Sequence, residues 1–261
     1  HCAGRTVLSY TPFVSSRRGI LLVLLLILLA IFVSGVGLLF LVMAGGAPPT
    51  VPSNATLYLK IEAPFDEMQA IDPVFVAQKP TLRALIGLIQ QAAKDTRVKT
   101  LVIVPRAEGA LWAQLQEVRG ALVAFKKSGK TITAYLEYGG AQEYYLASAA
   151  DRIVMMPAGQ LDLAGLATYE LFFRGALDKL GVFPDMLHIG DYKTYSNTFT
   201  EHGFTTAHRE MSASLNRDWY DQLLTAIADG RKRPVADVRR AIDAGPFLAE
   251  DAVHAGLIDD L

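Results

Sequence analysis

The chain has 261 residues, a formal net charge of −1, 51% hydrophobic and 20% charged residues. That length supplies one large domain or two small ones with ample core, and the composition excludes wholesale disorder and a purely electrostatic grip on nucleic acid. A lone cysteine, Cys2, excludes an internal disulfide and a cysteine-built zinc site, and a first residue of His1 rather than methionine fits an excerpt of a longer chain.

Residues 20–43 contain no charge and consist mostly of Leu, Ile, Val and Phe. As a helix they would reach roughly 36 Å, enough to span a bilayer and too long for the apolar core of a typical cleaved signal. The small residues Ala44, Gly45, Gly46 and Ala47 that follow are nonetheless compatible with cleavage. Upstream lie Arg5, Arg17 and Arg18 without an acid, so residues 1–19 read as a cytoplasmic segment and everything after Met43 as exported. Without those three arginines, 22 basic face 26 acidic residues, a net charge of −4 with no basic patch that calls for nucleic acid. Residues 44–56, with the run GGAPPTVPSN, read as a linker, and residues 57–261 as the folded domain.

In that domain, β-forming apolar runs alternate with segments of helical period. Strands are predicted at Leu57–Ala63, Thr100–Ala107, Thr131–Glu137, Asp151–Pro157 and Val182–Gly190. Between and after them, helices are predicted at TLRALIGLIQQAAKD, at ALWAQLQEVRGALVAFKK, at Ala141–Ala150, from Gly165 to near Leu180 and from about Thr206 to Asp229, with two short helices around Gly245-Pro246. The alternation predicts an α/β domain with a mainly parallel sheet.

Several chemical motifs fail on context. Ser128-Gly129-Lys130-Thr131 resembles the tail of a phosphate-binding loop, but Ala124 stands where its first glycine belongs and a helix precedes it. G-x-S-x-G, H-E-x-x-H and G-x-G-x-x-G are all absent. His202 and His208 lie six apart, which suits neither a helical nor a strand metal pair, so both read as solvated. Nothing calls for a cofactor or a metal. The informative stretch is Gly190-Asp191-Tyr192-Lys193-Thr194, where a lysine flanked by Tyr192, Tyr195 and Phe199 follows a predicted strand. Burial disfavours a charged amine, and holding a lysine neutral near pH 7–8 requires about 4 kcal/mol. Such a lysine is a general base for a hydroxyl nucleophile; a surface lysine snorkelling over tyrosines is the plainer alternative.

The order Tyr144-Tyr145-Leu146-Ala147-Ser148, Asp151-Arg152-Ile153, Pro157, Gly165-Leu166, Leu177-Asp178-Lys179-Leu180-Gly181-Val182 and Gly190-Asp191-Tyr192-Lys193-Thr194 resembles the signal peptide peptidase family of serine–lysine proteases, in particular the amino-terminal half of its long form. The resemblance runs over about Leu57 to Leu261. It implies a Clp protease/crotonase-like fold, a bacterial inner-membrane protein with a periplasmic domain, signal peptides as substrates and a homo-oligomer. The long form carries two tandem copies, the first bringing the lysine and the second the serine, so Lys193 would be the general base. The serine position corresponds to Ala141, 52 residues before the lysine, and the glycines that follow it are replaced by Gln142 and Glu143. The small-residue loop after the second strand shrinks to Glu108-Gly109-Ala110, and the usual small, acidic and proline residues after the lysine appear as Ser196, Asn197 and Thr198. The expected function is therefore a membrane-anchored endopeptidase half whose serine sits in a second copy. An inactive membrane-tethered scaffold of the same fold is the alternative, and an acyl-CoA enzyme of the crotonase type fits poorly with export.

Overall fold

In the computed structural model the described residues are 16–44, 51–68 and 80–261. Cys2, Arg5, the remainder of residues 1–15 and residues 45–50 of the expected linker lie outside them. The chain divides into two compact units, His1–Val51 and Pro52–Leu261.

The first unit contains α1, Ser16–Ala44, whose 24-residue stretch Gly19–Val42 is long and apolar enough to cross a bilayer. Its large apolar side chains are exposed around the whole circumference, as befits a helix with no apolar stripe of its own to hide.

The second unit begins with β1, Ala55–Glu62, two residues earlier than predicted, followed by α2, Leu82–Lys94, and β2, Val98–Arg106. Then come α3, Trp112–Lys126, β3, Thr131–Leu136, the two-residue β4, Gly139–Gly140, and α4, Ala141–Ala147. β5, Arg152–Met155, and β6, Gln160–Asp162, follow. β1, β2, β3 and β5 form a parallel sheet in that order, so the predicted α/β architecture with a mainly parallel sheet is what the chain adopts. Central β2 buries Leu101, Ile103 and Val104, which is why its sequence reads as a near-continuous apolar run. Edge strand β1 keeps alternate residues in solvent, and its sequence alternates accordingly. Lys130, in the rejected phosphate-loop motif, instead donates to the carbonyls of Ala92 and Asp95 at 2.6 and 2.7 Å, a cation at the end of α2 where the last carbonyls have no intrahelical partner.

Two predicted elements differ. The helix from Gly165 shrinks to α5, Arg174–Lys179, and residues 163–173 form a strap without regular structure. The predicted strand at 182–190 is not a strand: it has no ladder partner and leaves Leu187 and Ile189 almost fully exposed. Beyond a 3-10 turn, Thr194–Ser196, come α6, Asn197–Thr200, and α7, Thr206–Arg231, whose first turn is capped by Thr205 Oγ1 accepting from the His208 N–H at 3.2 Å. α8, Val235–Asp243, β7, Phe247–Leu248, and α9, Ala249–His254, close the chain, with β4, β6 and β7 making a second small sheet. α7 lies so close to α4 that a Cβ on Gly230 would come within 1.8 Å of the Ser148 carbonyl oxygen.

Candidate active site

Lys193 sits at the head of the 3-10 turn, and its N–H donates to the Gly190 carbonyl at 3.2 Å, a tight bend that Gly190 allows with φ +81°. Its side chain is exposed, and among the described residues no carboxylate pairs with it. The lysine lines an open apolar groove of about 950 Å³ together with Met186, Leu187, Ile189 and Tyr195. The expected shielding by Tyr192 and Tyr195 is not seen: Tyr195 is 84% exposed, and Tyr192 turns its hydroxyl onto Glu210 Oε2 at 2.8 Å, while Phe199 is half-buried against Phe173 and Tyr195. That hydrogen bond raises the Tyr192 phenol above its ordinary value.

Neither Ser196 nor Ser148 is offered to a substrate. Ser196 lines the groove, but its Oγ is hidden from solvent and has no hydrogen-bond partner. Ser148 is fully buried, donating to the Tyr145 carbonyl at 2.9 Å and accepting from Arg119 at 3.0 Å. Thr194 Oγ1 turns onto Met211 Sδ at 3.7 Å.

The second place of interest is the corner where β4 turns into α4, with Ala141 the first helical residue. It opens into a separate cleft of about 440 Å³ that includes Glu108, Tyr138, Gln142 and Asp162. Glu143 is 4% exposed, and its carboxylate bridges two backbone amides, Oε1 accepting from Ala107 at 2.8 Å and Oε2 from Gly140 at 3.0 Å. Gln142 Nε2 reaches back to the Ala110 carbonyl at 2.8 Å. The Ala107 and Gly140 amides thus hold the chain's own carboxylate, and Ala141, at the start of α4, carries only a methyl group. Tyr144, next along α4, is fully buried with its hydroxyl donating to the Leu257 carbonyl, and burial pushes that phenol far above its ordinary value, so it serves as a neutral tether.

One histidine departs from its solvated reading. His202 is exposed beside Asp178, but His208 is 3% exposed and pairs with Glu170 of the strap. Its burial follows from the aromatic rings of Phe172 and Phe204, at 5.8 and 5.0 Å, and Phe204 four residues upstream was the local sign of it. Among the described residues no group of three or more His, Cys, Asp or Glu side chains is placed to hold a metal ion.

Residues 124–261 match the family described as Peptidase family S49. The chain is 29% identical over 171 residues to the chloroplastic serine protease SPPA of Arabidopsis thaliana, covering 66% of this chain and 25% of that protein. It is 31% identical over 187 residues to Protease 4 of Haemophilus influenzae, with coverage of 71% and 30%, and 31% identical over 159 residues to Protease 4 of Salmonella typhi, with coverage of 60% and 26%. The chain thus spans about a quarter to a third of the length of these curated relatives.

Proposed function

The chain belongs to Peptidase family S49, and from that premise we propose that it is the lysine-bearing, membrane-anchored part of a serine endopeptidase that degrades signal peptides. The observation that carries this reading is the division of the site: Lys193 and the Ala141 corner line different cavities, and the serine and threonine hydroxyls beside the lysine are turned inward. A base without an accessible nucleophile completes no acyl transfer. The serine is supplied by a second copy of the fold, packed over the apolar groove.

In the proposed cycle Lys193 Nζ, neutral when covered, takes the proton from that serine as its oxygen attacks the scissile carbonyl. The resulting ammonium returns the proton to the leaving amine, and a water, activated in the same way, releases the acyl group. An extended apolar peptide would lie between this groove and the copy that covers it. α1 anchors the chain in a bacterial inner membrane, with residues 1–19 cytoplasmic and residues 57–261 in the periplasm beyond the linker at 44–56. No cofactor, metal ion or nucleic acid takes part.

A catalytically inactive, membrane-tethered scaffold is the second reading, and the Ala141 methyl with the Glu143 carboxylate seated on its amides is what favours it. The full-length gene product decides between them. On the proposed reading it cleaves signal peptides as a symmetric oligomer, Lys193→Met assembles normally but loses several orders of magnitude in rate, and residues 1–261 alone in detergent do not cleave. A full-length protein without activity supports the scaffold, and a Lys193→Met protein that cleaves at the parental rate removes Lys193 from the site.

A further inference from the structure

The turn that carries Lys193 is fastened to α7 at three successive points. Tyr192 donates to Glu210 on the exposed side, Thr194 meets Met211, and Asn197, which opens α6 directly after the turn, reaches His208. Only the third of these lies in the interior. His208 Nδ1 is 3.4 Å from Asn197 Nδ2, which lies equally far from Thr205 Oγ1, and His208 Nε2 is in close contact with Glu170 Oε2. The other oxygen of Glu170 accepts from Ser212 Oγ, one turn further along α7. With the rings of Phe172 and Phe204 edge-on to the imidazole, the cluster joins the strap, α6 and α7 around a single side chain that is 3% exposed.

The contacts use both nitrogens of the ring: Nδ1 faces the Asn197 amide and Nε2 faces Glu170, so the Asn197 side chain is tied to both α7 and the strap. Removing either partner of the ring leaves a buried polar group without a mate.

We propose that His208, oriented by Glu170, is a positioning residue for Lys193: it holds Asn197, and through Asn197 the turn that points the amine into the groove. This inference rests on the reading of Lys193 as the base. His208 itself touches neither the groove nor a substrate, since the groove is lined by residues of the 186–196 segment. A loss of positioning of about an ångström at a reacting group typically reduces a rate by about 100-fold, without a matching change in ground-state binding.

The test uses the full-length protein with a fluorogenic signal-peptide substrate and the variants His208→Gln, Glu170→Gln and Asn197→Ala. His208→Gln keeps an amide donor toward Glu170 but cannot also accept from Asn197, while Asn197→Ala breaks the same link from the other side with the imidazole intact. Each is expected to lower kcat by about 10- to 100-fold with KM within about twofold. The acid limb of the pH profile of kcat/KM, which reports the lysine, should move upward, and the oligomer mass should stay unchanged. A lower melting temperature with an unmoved acid limb, in the variants that fold, makes the cluster structural and overturns the proposal, as does an unchanged kcat. A parent protein that does not cleave, or a Lys193→Met protein that cleaves normally, overturns instead the reading on which the inference rests.

Discussion

Glu143 offers the sharpest test of what holds the Ala141 corner in place. Its carboxylate accepts from Ala107 and Gly140, at 2.8 and 3.0 Å, from a side chain that is 4% exposed. Hydrogen bonds to a charged group contribute about 1.5–3 kcal/mol each. Glu143→Gln keeps the shape and one acceptor, but turns an NH2 group toward the other backbone N–H, so one bond is lost and two donors face each other. The expected cost is about 2–3 kcal/mol, or about 4–12 °C in melting temperature for a domain of this size. Thermal unfolding of the detergent-solubilised chain measures it. Ala141→Ser alone is expected to create no peptidase, because Ala141 and Lys193 line different cavities. A Glu143→Gln protein that melts within about 1 °C of its parent would refute the bridging role.

The Asp259 carboxyl accepts from Arg231 at 2.6 and 2.9 Å and from the Ile153 N–H at 2.7 Å; the Arg231 contact dominates, and despite partial burial it lies below its ordinary value of 3.8. A group depressed in the folded state stabilises above its unfolded value and loses that contribution as pH falls through the folded one. Asp259→Asn should therefore lower the melting temperature at pH 7, with the gap to the parent closing as pH falls below about 3.8; a gap independent of pH contradicts the linkage. For the proposed topology, protease added to intact spheroplasts should digest the domain after α1 and spare the first nineteen residues, and full protection would reverse the orientation.

What could be read from the sequence follows the range of the interactions involved. β2 announces itself because both its faces are covered, and α7 because its period and its Thr205 cap are local properties. The run at 182–190 has the same apolar, β-forming composition, but such composition states only that the residues favour burial, not that a neighbouring strand exists. His208 was misread for a related reason: spacing rules compare it with His202 on its own segment, whereas its partner Glu170 lies on the strap, 38 residues away. The missing glycines after Ala141 were visible, but that a carboxylate would turn back onto Ala107 depends on a loop brought there by the sheet.

On the proposed reading, the exposure of Lys193 and the exposure of the rim beside it are one fact with two consequences. Keeping a lysine neutral near physiological pH requires about 4 kcal/mol of desolvation, and the side chain of Lys193 stands in water. Leu187 and Ile189 stand almost fully in water within the same groove. Covering two such side chains contributes about 1.5–3 kcal/mol each, the same order as the lysine demands. A second copy seated on the rim would thus bury the apolar side chains and strip water from the amine in a single step, while also carrying the missing hydroxyl. The base would be active only where the nucleophile is already in place, and an unassembled copy in the periplasm would leave other peptides intact.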